Sequence, residues 1–172
     1  MTPRSAPRAA AATDRWMLPL IVALVFVLGT ITNVVSPLFE PPDERLHYQF
    51  VRDLLDTRQL PVQLATAPPS QSHQPPLYYL GGALFVALAP DSHILPDANP
   101  FWAADRLAEV SRDNKRQFLP HPAHQWPYRD TALVVHLLRL WSTLLAAATA
   151  VTVWRIAHLL WPRARHKRLA LT

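Results

Sequence analysis

Charge and apolarity alternate along this chain in blocks. Between Arg15 and Glu40 no charged side chain occurs, and at ~1.5 Å of rise per residue that interval covers the ~30 Å hydrocarbon core of a bilayer. The block predicts a transmembrane helix over residues 16–37, with Trp16 placed where an interfacial aromatic anchors a span. From Asp43 the period changes. Leu46, Phe50 and Leu54 recur at i, i+4 and i+8, Val51 and Leu55 lie beside them, and Arg45, Arg52, Asp53 and Asp56 fall between. That spacing predicts an amphipathic helix over 43–57, suited to a membrane surface or to another helix.

Residues 74–90 again carry no charge, but they reach only the lower limit of about 17 residues for a span. They predict a short transmembrane or re-entrant helix, opened by prolines and flanked by the interfacial pair Tyr78 and Tyr79. Residues 91–130 form a polar loop with a short helix expected over Phe101 to Val110. Apolarity returns from Thr131 to Trp161, interrupted by His136, Arg139, Arg155 and His158. A span over 131–161 requires its arginines to snorkel or to face protein. The expected class is therefore an all-α integral membrane protein of two or three transmembrane helices, with an amphipathic surface helix in an extracytoplasmic loop over 38–73.

Half of the composition is hydrophobic, yet the mean hydropathy is only +0.04, as segregation of apolar from polar stretches requires. A cleavable signal peptide competes for the first block. It loses because the apolar run exceeds an h-region, no A-x-A-like site follows, and further apolar segments lie downstream. The net charge of +5 would suggest nucleic acid in a soluble protein, but the basic residues gather at the ends, in a disordered tail over 1–15 and a basic tail over 162–172, where they mark cytoplasmic flanks of membrane helices. If both tails are cytoplasmic the crossings are even in number, whereas hydropathy offers three candidates. In every version the loop after the first helix faces away from the cytoplasm. Cysteine is absent, which excludes disulfides and thiolate metal sites.

The chemistry concentrates in Phe39 to Phe50, "FEPPDERLHYQF". Asp43 follows two prolines and predicts an N-cap, with Glu44 in the first turn where the helix dipole favours an acid. The same pair could act chemically. Asp43 could take a proton from an acceptor hydroxyl or amine, and Asp43 with Glu44 could hold a divalent cation such as Mg or Mn against a phosphate leaving group. His47, four residues on, is expected to pair with a nearby acid more often than to ligate a metal. His121 and His124, in "HPAH", are expected to be solvated. Arg139 is either a functional intramembrane charge or a snorkelling one.

An Asp-Glu pair in the loop after the first helix, then "QPPLYY" at the mouth of the next apolar segment, "NP" at Asn99 and Pro100, "RDNKRQFLPH" and "RLWS" at Arg139 to Ser142, together resemble the N-terminal part of the GT-C superfamily of polytopic membrane glycosyltransferases. Aminoarabinose transferases and protein mannosyltransferases belong to that group. The resemblance runs from Asp43 to Ser142. It implies transfer of a sugar from a polyprenyl-phosphate donor to an extracytoplasmic acceptor, in the bacterial cytoplasmic (inner) membrane, with Asp43 as catalytic acid and Glu44 as its neighbour. The aminoarabinose transferases carry a Lys before Pro-Pro-Leu that contacts carrier phosphate. Here Gln74 stands in its place with His73 beside it, so phosphate contact would fall to Arg45 or His73, with Arg139 as a further substrate-binding candidate. Such enzymes have many more helices, so the likeness is to a front end that further membrane subunits or segments would complete. A different class also accounts for the pattern: a small non-catalytic membrane protein that binds lipid or a partner.

Overall fold

In the computed structural model the described residues are 8–63, 70–91, 93, 95–102 and 116–160, with side chains from residue 16 onward. They form four α-helices and one 3-10 turn, and no strand is present among them beyond an isolated antiparallel bridge between Ala98 and Phe118. Helix α1 is Arg8–Val35, α2 is Glu44–Thr57, α3 is Pro76–Val86 and α4 is Asp130–Leu160. The 3-10 turn is Pro122–His124.

Three of the four helices lie where the pattern predicts. The first begins at Arg8, inside the stretch expected to be a disordered tail, because Ala9 to Ala12 are the strongest helix formers. The segment expected over 74–90 is an 11-residue helix, about 16 Å long and too short to span. Pro76 starts it at a position where a missing N–H costs nothing. At the other end Pro90 has no N–H to continue the ladder and disfavours helical Ala89, whose own N–H closes a tight bond to the Val86 carbonyl. Among the described residues two helices are long and apolar enough to cross a membrane, Trp16–Val35 and Asp130–Leu160. The helix expected over Phe101 to Val110 and the basic tail over 162–172 lie outside the described residues.

The chain divides into two compact units, one comprising residues 1–31 with 142–172 and the other residues 32–141. In the first, Gly29 meets the Thr143 side chain, which would lie 2.5 Å from an added Cβ. The backbone of α1 therefore approaches α4 where only glycine leaves room. From Trp16 to Ile31 most other side chains of α1, Leu20, Leu24 and Leu28 among them, are exposed.

The second unit holds the core. Helix α2 packs on α3, burying Tyr48, Phe50, Val51 and Leu54 against Tyr79, Ala83 and Val86. Phe50 stacks on Tyr79 with centroids 3.8 Å apart. The N-terminal turns of α4 add Ala132, Val134 and Val135, and Phe39 and Phe118 close the cluster. Gly81 lets Trp141 lie against α3, since an added Cβ would be 2.4 Å from the indole ring. The same indole donates its N–H to the Tyr78 carbonyl at 3.2 Å.

Candidate functional site

The segment joining α1 to α2 builds the site. After Val35 the chain must turn back within eight residues, and it does so through two left-handed residues, Phe39 with φ of 62° and Asp43 with φ of 60°. Side chains other than glycine rarely adopt that region, Asp being among the more tolerant. Its cause here is visible in the bonds that fix the turn. Glu44 reaches back to accept the Phe39 N–H at 2.7 Å, and the Glu44 N–H donates to the Pro41 carbonyl at 3.2 Å.

Arg139 completes the arrangement from α4. Its Nε and Nη2 donate to the two Glu44 carboxylate oxygens at 2.6 and 2.8 Å, a bidentate fork that matches the guanidinium plane. Its remaining donors go to the carbonyls of Asn33 at 2.8 Å, Ser36 at 2.7 Å and Pro37 at 2.9 Å. One side chain thereby satisfies three carbonyls at and beyond the C-terminus of α1, where a cation is also favoured by the helix dipole. Both partners are mostly enclosed, at 12% and 14% exposure. Of the two expectations for Arg139, snorkelling or facing protein, the second holds.

The adjacent acids thus separate in role. Glu44 is fully engaged. Asp43 is exposed, and its carboxylate has no hydrogen bond or ion pair among the described residues. The expected N-cap is corrected in its chemistry: Asp43 occupies the cap position of α2 without a side-chain capping bond. The left-handed backbone is incompatible with the extended conformation that brings a cap side chain over the first turn. Its carbonyl still accepts the His47 N–H at 2.9 Å.

The other predicted residues are placed as follows. Arg45 and His73 are exposed, Gln74 is half-buried, and the Gln74 amide lies 3.5 Å from the His73 ring. His47 pairs with the Tyr79 hydroxyl at 2.7 Å rather than with an acid. Burial lowers its pKa, against the opposing charges of Asp43 and Glu44. His121 is exposed and its Nδ1 accepts the Ala123 N–H, starting the 3-10 turn. No group of three or more metal-binding side chains occurs among the described residues.

Sequence reasoning passed over two further carboxylates. Glu40 accepts the N–H groups of Gln117 and Phe118 at 3.0 and 3.1 Å, tying the turn to the "RDNKRQFLPH" stretch. Asn99 binds the same stretch, accepting through its side chain from Phe101 and donating to the Arg116 carbonyl at 2.8 Å. Asp91, whose side chain is 1% exposed, accepts from Tyr48 and Thr131, both at 2.6 Å. Burial pushes its pKa up, but these two bonds, the His93 N–H and the charge of Arg52 outweigh burial and leave it below the usual value. The Tyr48 hydroxyl is raised by burial and by Asp91. Glu40 stood within the quoted acidic stretch, so its position was a signal; its partners, 77 and 78 residues away, were not.

No protein-family model, curated protein or solved structure matches the chain.

Proposed function

We propose that this is an integral membrane protein of the lipid-linked sugar transferase type, crossing the bilayer through α1 and α4, with Asp43 as the reacting acid on its extracytoplasmic side. The bilayer reading is supported by the length and apolarity of the two helices and by the 0% burial of the Trp16–Val35 window. It is supported further by α3, whose Leu77 and Leu84 point outward at 80% and 81% exposure on one apolar face.

The observation that carries the catalytic reading is the contrast within the acidic pair. Asp43 keeps an unengaged carboxylate on a backbone in a sparsely populated conformation, and the Glu44–Arg139 fork beside it holds that backbone in place. Such strain, held by surrounding structure, is a feature of reactive sites. In this proposal Asp43 removes the proton from the acceptor as the sugar leaves its carrier phosphate, while Arg45 and His73 are the exposed cationic and imidazole groups able to meet phosphate. A divalent cation would find one available carboxylate here, that of Asp43, since both Glu44 oxygens already accept from Arg139. Asp43→Asn in isolated membranes should reduce transfer from a polyprenyl-phosphate sugar by roughly 10²-fold or more with membrane insertion unchanged; undiminished transfer would refute the assignment.

The engagement of Glu44 favours a second reading, in which the acidic stretch is architectural and the protein is a non-catalytic membrane component that binds lipid or a partner subunit. Under it Asp43→Asn leaves function intact, and only Glu44 and Arg139 substitutions matter.

A further inference from the structure

Two faces of α3 are covered within the 32–141 unit and one is not. Tyr79, Ala83 and Val86 are buried against α2. Gly81 and Gly82 bring the backbone onto α4, where added Cβ atoms would lie 2.4 Å from Trp141 and 3.1 Å from Leu138. Phe85 leans on the same indole, with ring centroids 5.9 Å apart. The third face is a stripe of leucines. Leu77, Leu80 and Leu84 recur at i, i+3 and i+7, on the side of the helix away from Tyr79 and Val86. Leu88 continues the stripe through Ala87, which keeps a helical backbone. All four are exposed, Leu88 at 99%.

Helix α2 presents no such face. Its Tyr48, Phe50, Val51 and Leu54 are buried and none of its large apolar side chains is exposed, while Arg45, Gln49, Asp53 and Asp56 form its open side. The 3.6-residue spacing of α2 suits a membrane surface or another helix, and α3 is that other helix. What covers the leucine stripe of α3 follows from three observations. No charged side chain occurs over 74–90, so α3 has none of the flanking charges that fix partner and register in a helix pair. The helix has 11 residues, fewer than two heptads, whereas a coiled coil is sustained over about three or more. It is also seated on Trp141 and Leu138 of α4, one of the two helices apolar enough to cross a bilayer, so the lipid that α4 enters adjoins α3. At that crossing the Trp141 N–H meets the Tyr78 carbonyl, and Tyr and Trp are the residues enriched at the membrane–water boundary.

We propose that α3 lies in the extracytoplasmic leaflet as an interfacial helix, with Leu77, Leu80, Leu84 and Leu88 among the acyl chains and α2 packed on its outer side. The partner is the lipid surface itself. The inference rests on the membrane reading of α1 and α4 and not on sugar transfer. An interfacial helix sits with its apolar face at the boundary between headgroups and acyl chains, and packed helices lie about 8–10 Å apart. Helix α2, with Asp43 at its start, therefore stands at the height of the headgroups.

The chain has no cysteine, so single-cysteine variants each report one place. The test puts a nitroxide at Leu84→Cys on the stripe, at Gln49→Cys on α2 and at Ala148→Cys in α4, in the full chain in phosphatidylcholine nanodiscs. It reads collisions with oxygen, which concentrates in hydrocarbon, and with a polar nickel chelate, which stays in water. The Leu84 label should meet oxygen more often than the Gln49 label and nickel several-fold less often. If a label at Leu84 disturbs the fold, Leu88→Cys reads the same stripe. A Leu84 label as open to nickel as Gln49, beside an Ala148 label that is closed to it, overturns the proposal and leaves the span intact. Nickel access at Ala148 overturns the membrane reading and the proposal with it. A Leu84 label shielded from both reagents lies under protein and also overturns the proposal; spin–spin broadening would then identify a second copy of the chain, and its absence a different protein segment.

Discussion

The two units of this chain are held by opposite means. Residues 16–31 and 142–160 are mostly apolar, and apart from contacts such as Gly29 with Thr143 much of their apolar surface is uncovered. Residues 32–141 have an aromatic core and, around it, carboxylates that each collect donors from distant segments: Glu40, Glu44 and Asp91. The first unit brings two backbones close together, as at Gly29. The second closes on itself through a few charged side chains, so single substitutions should matter far more there.

The largest effect is expected at the fork. Arg139→Ala leaves Glu44 enclosed without its partner and strips three carbonyls of their donor, so about 3 kcal/mol or more of stability should be lost; in a denaturation curve the 32–141 unit should unfold first while α1 stays helical. Glu40→Ala orphans two backbone N–H groups and should cost about 2 kcal/mol, seen as faster amide exchange at Gln117 and Phe118. A smaller effect concerns acid. The Asp91 carboxyl has a lower pKa folded than unfolded, so its contribution is complete above the ordinary Asp value of about 4 and is lost as pH falls through the folded value. Asp91→Asn should flatten that acid-side loss, measured as Tm against pH. The smallest effect has the opposite sign. Asp43→Gly removes a side chain from a left-handed backbone, so Tm should hold or rise by the equivalent of ~0.5 kcal/mol. A large fall in Tm would mean that the Asp43 carboxylate serves the fold.

The comparison also separates what the sequence reveals from what it conceals. Charge-free intervals and 3.6-residue spacing place α1, α2 and α4 within a few residues of their ends, apart from the N-terminal extension of α1 through Ala9 to Ala12. They overextend α3, because hydropathy counts residues up to Pro90 while the helix stops where the proline withholds its donor. Pattern reading singled out Glu44 and Arg139 separately, one as an acid beside a catalytic residue and one as a charge in an apolar helix. Their pairing across 95 residues leaves no periodic trace. The N-cap at Asp43 was inferred from residue type, and the backbone angle that disables it is imposed by bonds made elsewhere in the turn. Asn33 and His136 were legible in principle, as polar residues inside apolar runs.

Arg139 also has a place in time. During synthesis Glu44 and the carbonyls of Asn33, Ser36 and Pro37 emerge about a hundred residues ahead of their shared donor, an interval of roughly 5 to 20 seconds at 5–20 residues per second. Through that interval the turn has no guanidinium to hold it, and the nascent chain can form α2 and α3 but cannot lock them to the end of α1. Maturation of this unit therefore waits on the ribosome: α4, the last of the described helices to emerge, sets the turn that follows α1.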